Sequence, residues 1–218
     1  FEDIHIALIN KPAGIPVSGK AFKTIQNALT FNLKPSFEDD SLPVPLPVHR
    51  LDAQTPGLLL IAKTKSARIE LGRQFEEKAV KKKYKAIVIG LTPIDGEIDL
   101  QVDGKESRSE FVLLKVEPSL KFDYLSLIEL VPHTGRTHQL RIHCKESGFP
   151  ILGDSLYFLG GKELKGKGLF LCSTVLSFTH PVSKESIHFE IPHPEKFEKI
   201  MLHEKKRYIM KLRDMGKA

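Results

Sequence analysis

His49-Arg50-Leu51-Asp52-Ala53-Gln54-Thr55-Pro56-Gly57-Leu58-Leu59-Leu60-Ile61-Ala62-Lys63 runs from a polar loop into an unbroken apolar stretch. Gly57 to Lys63 reads as a buried strand. Upstream lies Leu42-Pro43-Val44-Pro45-Leu46-Pro47-Val48, whose alternating prolines exclude a helix and keep the chain extended. Asp52 therefore sits in a loop between a stiff segment and a buried strand. Such a loop can hold a carboxylate rigidly at a cleft edge, while the plainer reading is a turn Asp that caps the loop.

Outward from this stretch, strands and helices alternate irregularly. Ile4 to Ile9 reads as a short strand, halted by Asn10-Lys11-Pro12-Ala13-Gly14. Thr24 is an N-cap candidate for a helix through Leu33. Ser66 to Ala79 places Ala67, Leu71 and Phe75 four apart, a helical spacing. Strands are predicted at Tyr84–Ile89, Ser107–Val116 and Phe122–Val131. A break at Pro132-His133-Thr134-Gly135 leads to a helix from Thr137 to Ser147, with Gly148 as its C-cap. Two strands, Val175–Thr179 and Ser186–Ile191, precede a basic helix that Pro194 opens and that runs to Arg213. The order is hairpin-like, with no regular βαβ spacing. It argues a mixed α+β sheet and not a doubly wound one.

Composition narrows the class. The chain has 218 residues, with 41% hydrophobic and 28% charged, which excludes a disordered or fibrous chain. The longest apolar run, Leu58 to Ala62, falls far short of the ~20 residues of a membrane span. Cys144 and Cys172 are too few for a disulfide framework and carry no metal spacing, so a reduced, cytoplasmic protein is expected. The net charge of +6 and pI near 9.2 suit a polyanionic partner. Phosphate-loop, dinucleotide, nucleophile-elbow and HExxH patterns are all missing. His138 and His143 are five apart on a helix and face different directions, so a metal site is not expected there.

Two further segments carry chemistry-bearing side chains. Val131 to His143 brings Arg136 into the loop entering a helix, with His138, Gln139 and Arg141 in its first turns. Helix N-termini favour anions and Arg suits bidentate contacts to carboxylate or phosphate; an amphipathic helix with a solvent-facing Arg is the alternative. Tyr84 stands at the head of an apolar strand, closing a stretch from Lys63 to Lys85 with nine Lys or Arg against three Glu. Such a run is usually a solvated face. An aromatic embedded in it is also a stacking platform for a base.

Together these segments resemble the RluA-type pseudouridine synthases, over nearly the whole chain. The resemblance rests on Asn10-Lys11-Pro12-Ala13-Gly14, the His49 to Lys63 segment, Lys83-Tyr84-x-Ala86 and Gly135-Arg136-Thr137-His138-Gln139-Leu140-Arg141. Gly148-x-Pro150-Ile151-x-Gly153-Asp154-x-x-Tyr157 and Phe178-x-His180-Pro181 complete it. Departures are Pro56 where Ser is usual, Phe149 where His is usual and Phe158 where Gly is usual.

The resemblance implies an α+β fold: a large, mainly antiparallel mixed sheet in two lobes, with flanking helices and a central cleft that admits RNA. Residues 1–218 are read as one catalytic domain without the separate N-terminal RNA-binding domain that some relatives carry. The implied reaction isomerises uridine within ribosomal or transfer RNA, with no metal and no nucleotide cofactor. The catalytic residues would be Asp52, Tyr84 and Arg141. Asp52 would attack covalently or abstract a ribose proton. Arg141 would hold that carboxylate charged, and Tyr84 would stack on the detached uracil and move a late proton. RNA contacts would come from His49, Arg50, Arg136, His138 and Gln139, with Arg50 filling the space the flipped base leaves and contacting the backbone, and His49 shaping the loop. The Lys63–Lys85 stretch and the C-terminal Lys199, Lys205, Lys206, Arg207, Lys211 and Arg213 could meet phosphates. A monomer is the default state. The rivals are a non-catalytic RNA-binding module on the same fold, and a nuclease or glycosylase using Asp52 as acid or base.

Overall fold

The computed structural model describes residues 1–157 and 166–216. In chain order the elements are β1 (Ile6–Lys11), α1 (Ile25–Asn32), β2 (Ser41–Pro47), β3 (Gly57–Thr64), α2 (Lys65–Glu76), β4 (Lys81–Ile89) and β5 (Asp95–Val102). They continue with β6 (Lys105–Ser119), β7 (Asp123–Pro132), α3 (Gln139–Glu146), β8 (Leu171–Thr179), β9 (Ser186–Glu190) and α4 (Lys196–Met215). Two compact units emerge: Phe1–Lys82 with Ser173–Ile191, and Lys83–Cys172 with Pro192–Ala218. Phe158, one of the departures from the family pattern, lies outside the described residues.

In the first unit β3 is the central strand, buried along all eight residues. It pairs antiparallel with β1, from Ile6 opposite Ala62 to Lys11 opposite Gly57. β2 pairs with its other end, and the ladder breaks between Ser41 and Leu46, where Pro43 and Pro45 have no N–H to give. β8 meets β3 in parallel at Gly57 and Ser173, and β9 folds back antiparallel on β8. The contact at Gly57 requires glycine. Its φ is +120°, and a Cβ there would lie 2.1 Å from the Ser173 carbonyl oxygen. α1 and α2 are capped by Thr24 and Thr64, whose hydroxyls accept from the amides of Asn27 and Ala67. Leu71 and Ala67 from α2 pack with Ile6, Leu8, Leu60 and Phe178 in the unit's core.

The second unit is an antiparallel sheet in the order β4-β7-β6-β5. β5 is not among the strands expected from the sequence. Its burial alternates at Ile98 and Val102, and the turn Asp103-Gly104 has φ values of 52° and 71°. Two positive-φ residues of that kind make the tight hairpin turn that matches strand twist. α4 lays Phe197 and Met201 on Ile87, Leu125, Leu127 and Phe170. It is locked there by the buried Glu204, which accepts from the Ser119 hydroxyl at 2.6 Å. The fold is therefore mixed α+β and antiparallel throughout both units except at β3–β8.

Boundaries moved in two instructive places. β1 runs on through Lys11 instead of halting at Asn10, because Asn10 and Lys11 still pair with Leu58 and Gly57 of β3. α3 begins at Gln139 and not at Thr137. His138, with φ of 55°, takes a left-handed conformation that no helix can include.

Candidate active site

The first unit holds Asp52, His49 and Arg50. Asp52 lies in the loop before β3, between the buried Leu51 and the buried Thr55. Its carbonyl accepts from the Thr55 amide at 3.0 Å, closing a tight turn. The next carbonyl, of Ala53, takes two donors from the β1 turn: the Gly14 amide at 2.8 Å and the Lys11 Nζ at 3.0 Å. Lys11 is fully buried and also donates to the carbonyls of Pro12 and Ile15, at 2.8 and 2.9 Å. Three acceptors for three ammonium protons form a complete cradle. The turn read from the sequence as a strand stop is thus the clamp that fixes the Asp52 loop. Pro56 costs this loop nothing in its pairing with β8, because its carbonyl, not its nitrogen, is the group that accepts from the Ser173 amide.

Burial pushes the Lys11 ammonium down from 10.5 to about 8, against the opposing pull of the Asp52 charge. The folded chain then sheds this proton before the unfolded chain does. Between about 8 and 10.5 the unfolded state holds more protons, so this group adds stability as pH rises through that window. Urea unfolding of wild type and Lys11→Met across the window checks it. The gap in stability between them should widen with pH; a constant or narrowing gap would contradict the assignment.

His49 turns inward. Its Nε2 accepts from the Leu60 amide at 3.0 Å and its ring stacks on Phe75 at 4.9 Å. Burial, reinforced by the Lys82 charge, pushes it down to about 3, so it is a neutral prop for the loop at any working pH. Arg50, its neighbour, is exposed.

The second unit holds Tyr84, Arg136, His138, Gln139 and Arg141. Tyr84 is 9% exposed and stands opposite Leu130 in the β4–β7 ladder. Arg141 rises from the first turn of α3 and sets its guanidinium as a fork on Asp154, with Nε and Nη2 each 2.7 Å from a carboxylate oxygen. Both side chains are buried, 5% and 1% exposed. Burial works against the charged form of Asp154. The two guanidinium bonds, the Arg141 charge and the amides of Leu156 and Tyr157 outweigh it and hold the carboxyl below its ordinary value. The Arg141 guanidinium carbon lies 5.0 Å from the Tyr157 ring centre, and the Tyr157 hydroxyl meets His138 Nδ1 at 2.9 Å. One connected group therefore joins His138, Tyr157, Asp154 and Arg141. Asp154 and Tyr157 belong to the motif that runs from Gly148 to Tyr157, and neither is among the expected catalytic or RNA-contacting residues. Their signal was there, in an Asp and an aromatic three residues apart beyond a helix bearing Arg.

Gln139 is buried and uses its whole amide inside the protein. Its oxygen accepts from the Thr134 hydroxyl and the Arg136 amide, and its nitrogen donates to the Arg108 carbonyl and the Ser109 hydroxyl. It ties the loop ahead of α3 to β6. Arg136 is exposed and reaches the Glu106 carbonyl at 3.2 Å. His143 is buried against Ser107, with Nε2 at 2.7 Å from the hydroxyl, and burial lowers its pKa. Phe149, where the family pattern has His, packs on Phe111 at 5.2 Å.

Several cations of the two basic stretches are occupied within the fold. Lys63 is buried in an ion pair with Glu2, and Arg73 is clamped by Glu70 and Glu77. On α4, Lys199, Lys205 and Arg207 meet Glu195, Glu117 and Glu204. Among the described residues Lys206, Lys211 and Arg213 have no such partner.

Residues 5–146 match the family model described as RNA pseudouridylate synthase. An uncharacterized RNA pseudouridine synthase of Aquifex aeolicus is 34% identical over 225 residues, covering 92% of this chain and 70% of the relative. The ribosomal large subunit pseudouridine synthase D of Neisseria meningitidis is 35% identical, over 89% of this chain and 58% of its own length. The solved structure of human RNA pseudouridylate synthase domain containing 1 superposes with a TM-score of 0.73 at 25% identity, covering 89% of this chain and 82% of that one. The chain belongs to the RNA pseudouridine synthases, the isomerases that convert uridine in RNA to pseudouridine.

Proposed function

We propose that this chain modifies ribosomal RNA and that Asp52 is its catalytic residue. The family membership and the names of relatives such as the Neisseria synthase support the substrate class. The observation that carries the assignment of Asp52 is the clamp on its loop. A buried ammonium and a glycine amide converge on the adjoining Ala53 carbonyl, which is the kind of support a reacting carboxylate needs to hold its aim.

In the reaction the bond from ribose C1′ to uracil N1 breaks, the base turns, and C1′ bonds to C5. C5 gives up its hydrogen as a proton and N1 gains one, so substrate and product are isomers. An ionised Asp52 serves either as the nucleophile toward the ribose or base, or as the acceptor of a ribose proton. Arg141 contributes a guanidinium kept charged in its buried fork with Asp154. Tyr84 offers a ring for the detached uracil and a hydroxyl for the late proton transfer. Two free, buried thiols, Cys144 and Cys172, suit a reducing compartment, which favours the cytoplasm.

The test is tritium release from large-subunit ribosomal RNA labelled at C5 of uridine, with intact RNA recovered afterward. Cut RNA or an abasic product would replace the synthase reading by a nuclease or a glycosylase. RNA binding without release would favour a non-catalytic module. Within the same assay Tyr84→Phe keeps the ring and loses the hydroxyl. Its single-turnover rate should fall roughly 10²–10⁴-fold, the usual range for a positioned proton carrier. A fully active Tyr84→Phe would leave Tyr84 a packing or stacking residue.

A further inference from the structure

The first unit contains an open cavity of about 420 Å³ whose lining includes Arg50, from the Asp52 loop, and Arg68, from α2. Val17, Leu46 and Val48 supply an apolar wall, and Gln26 adds a polar group from the first turn of α1. Among the described residues no Asp or Glu lines it.

The two arginines stand apart from the rest. Of the chain's eight, Arg73, Arg108, Arg136, Arg141 and Arg207 give their guanidiniums to carboxylates or a carbonyl within the fold. Among the described residues, only Arg50, Arg68 and Arg213 have no such partner, and two of those three line this one cavity. α2 has carboxylates to offer, since Arg73 on the same helix is held by Glu70 and Glu77. Arg68 is left open to solvent instead.

Two unpaired guanidiniums at one cavity suit a phosphate, which accepts their forked donors. A phosphate alone would leave the apolar wall without a use. A cavity of a few hundred Å³ with one apolar side and a few convergent polar groups matches a small organic ligand the size of a nucleotide. Arg50 lies two residues from Asp52, which puts this cavity beside the loop that bears the proposed catalytic carboxylate.

We propose that the cavity is a second RNA subsite that takes a single-stranded nucleotide flanking the target uridine. Its base rests on the Val17, Leu46 and Val48 wall and its phosphate lies between Arg50 and Arg68. This subsite rests on the synthase reading above, and it makes Arg68 a binding residue of that reaction.

The experiment titrates a fluorescein-labelled twelve-nucleotide oligouridylate into wild type, Arg68→Ala and Lys105→Ala over a range of salt. Lys105 is an exposed lysine at the β5–β6 turn and controls for the lost charge. Arg68→Ala should weaken binding about tenfold, in keeping with a lost charge-assisted bond. Its plot of log affinity against log salt should be shallower by about 0.7, the share of one single-strand phosphate. Lys105→Ala should stay within about twofold, and all three should melt alike, as expected for exposed side chains. Uridine 5′-monophosphate should compete with the oligonucleotide, whereas inorganic phosphate at equal ionic strength should not. Equal affinity and slope in Arg68→Ala, or displacement by phosphate alone, would overturn the subsite.

Tritium release separates this idea from the reading beneath it. With the subsite in place, Arg68→Ala raises KM and leaves the single-turnover rate at saturation nearly intact. A wild type that turns over RNA while Arg68→Ala keeps its KM would remove the subsite and leave the synthase. A wild type that neither binds nor modifies RNA would remove both.

Discussion

Asp52→Asn is expected to fold and bind RNA like wild type while tritium release falls by roughly 10²–10⁴-fold or to below detection, the scale of losing a positioned reacting group. The amide has the shape of the carboxylate, but it cannot ionise, attack a sugar or accept a proton. The folding side of the expectation comes from the loop. The Thr55, Gly14 and Lys11 bonds that hold it all end on backbone carbonyls, of Asp52 and Ala53, and none of these three uses the side chain that is changed. The loop should therefore keep its fold, and the loss of the Asp52 charge that supports the buried Lys11 ammonium should lower the melting temperature by only a few degrees. Should Asp52→Asn keep a tenth of wild-type turnover, with reversion by deamidation excluded by mass spectrometry, the catalytic group lies elsewhere.

The second large effect is on stability. Asp154→Ala takes the forked carboxylate from the buried Arg141 guanidinium and also the acceptor from the Leu156 and Tyr157 amides. Removing one partner of a buried pair costs about 3–5 kcal/mol. For a chain of this length that corresponds to a fall of roughly 6–20 °C in Tm. The double variant Arg141→Leu with Asp154→Leu removes both charges together and should be markedly more stable than Asp154→Ala alone, though without turnover. The same pair sets an acid limit. The Asp154 carboxyl is held below its unfolded value, so its contribution is complete above that value and is lost as pH falls through the folded one. A shift of less than about 2 °C for Asp154→Ala would mean that water replaces the carboxylate at little cost, and that the fork is not a structural anchor.

Legibility differed from element to element. Thr24 and the four-residue spacing of Ala67, Leu71 and Phe75 announced α1 and α2, because capping and helical periodicity are local properties. β5 was missed although Asp-Gly closes it, since its polar residues outnumber the buried Ile98 and Val102. At the candidate site the residue types were readable and their partners were not. Gln139 looked like a reader of RNA, and its environment makes it a four-way tie between loop and strand. Lys63 looked like part of a basic face, yet β3 is buried on both sides and turns it onto Glu2.

The sequence by itself determined the class of this protein: the buried β3, the loop bearing Asp52 ahead of it, and the ordered motifs of a uridine isomerase. Each is written in residues close together along the chain. Tertiary structure decided what holds those residues in place. Lys11 reaches the Ala53 carbonyl 42 positions away, Asp154 lies 13 positions beyond Arg141, and Arg68 and Val17 meet at one cavity. Such pairings satisfy buried charges and carbonyls that no local pattern registers. Only the folded backbone brings donor and acceptor within hydrogen-bonding distance, and burial then makes each lost bond expensive.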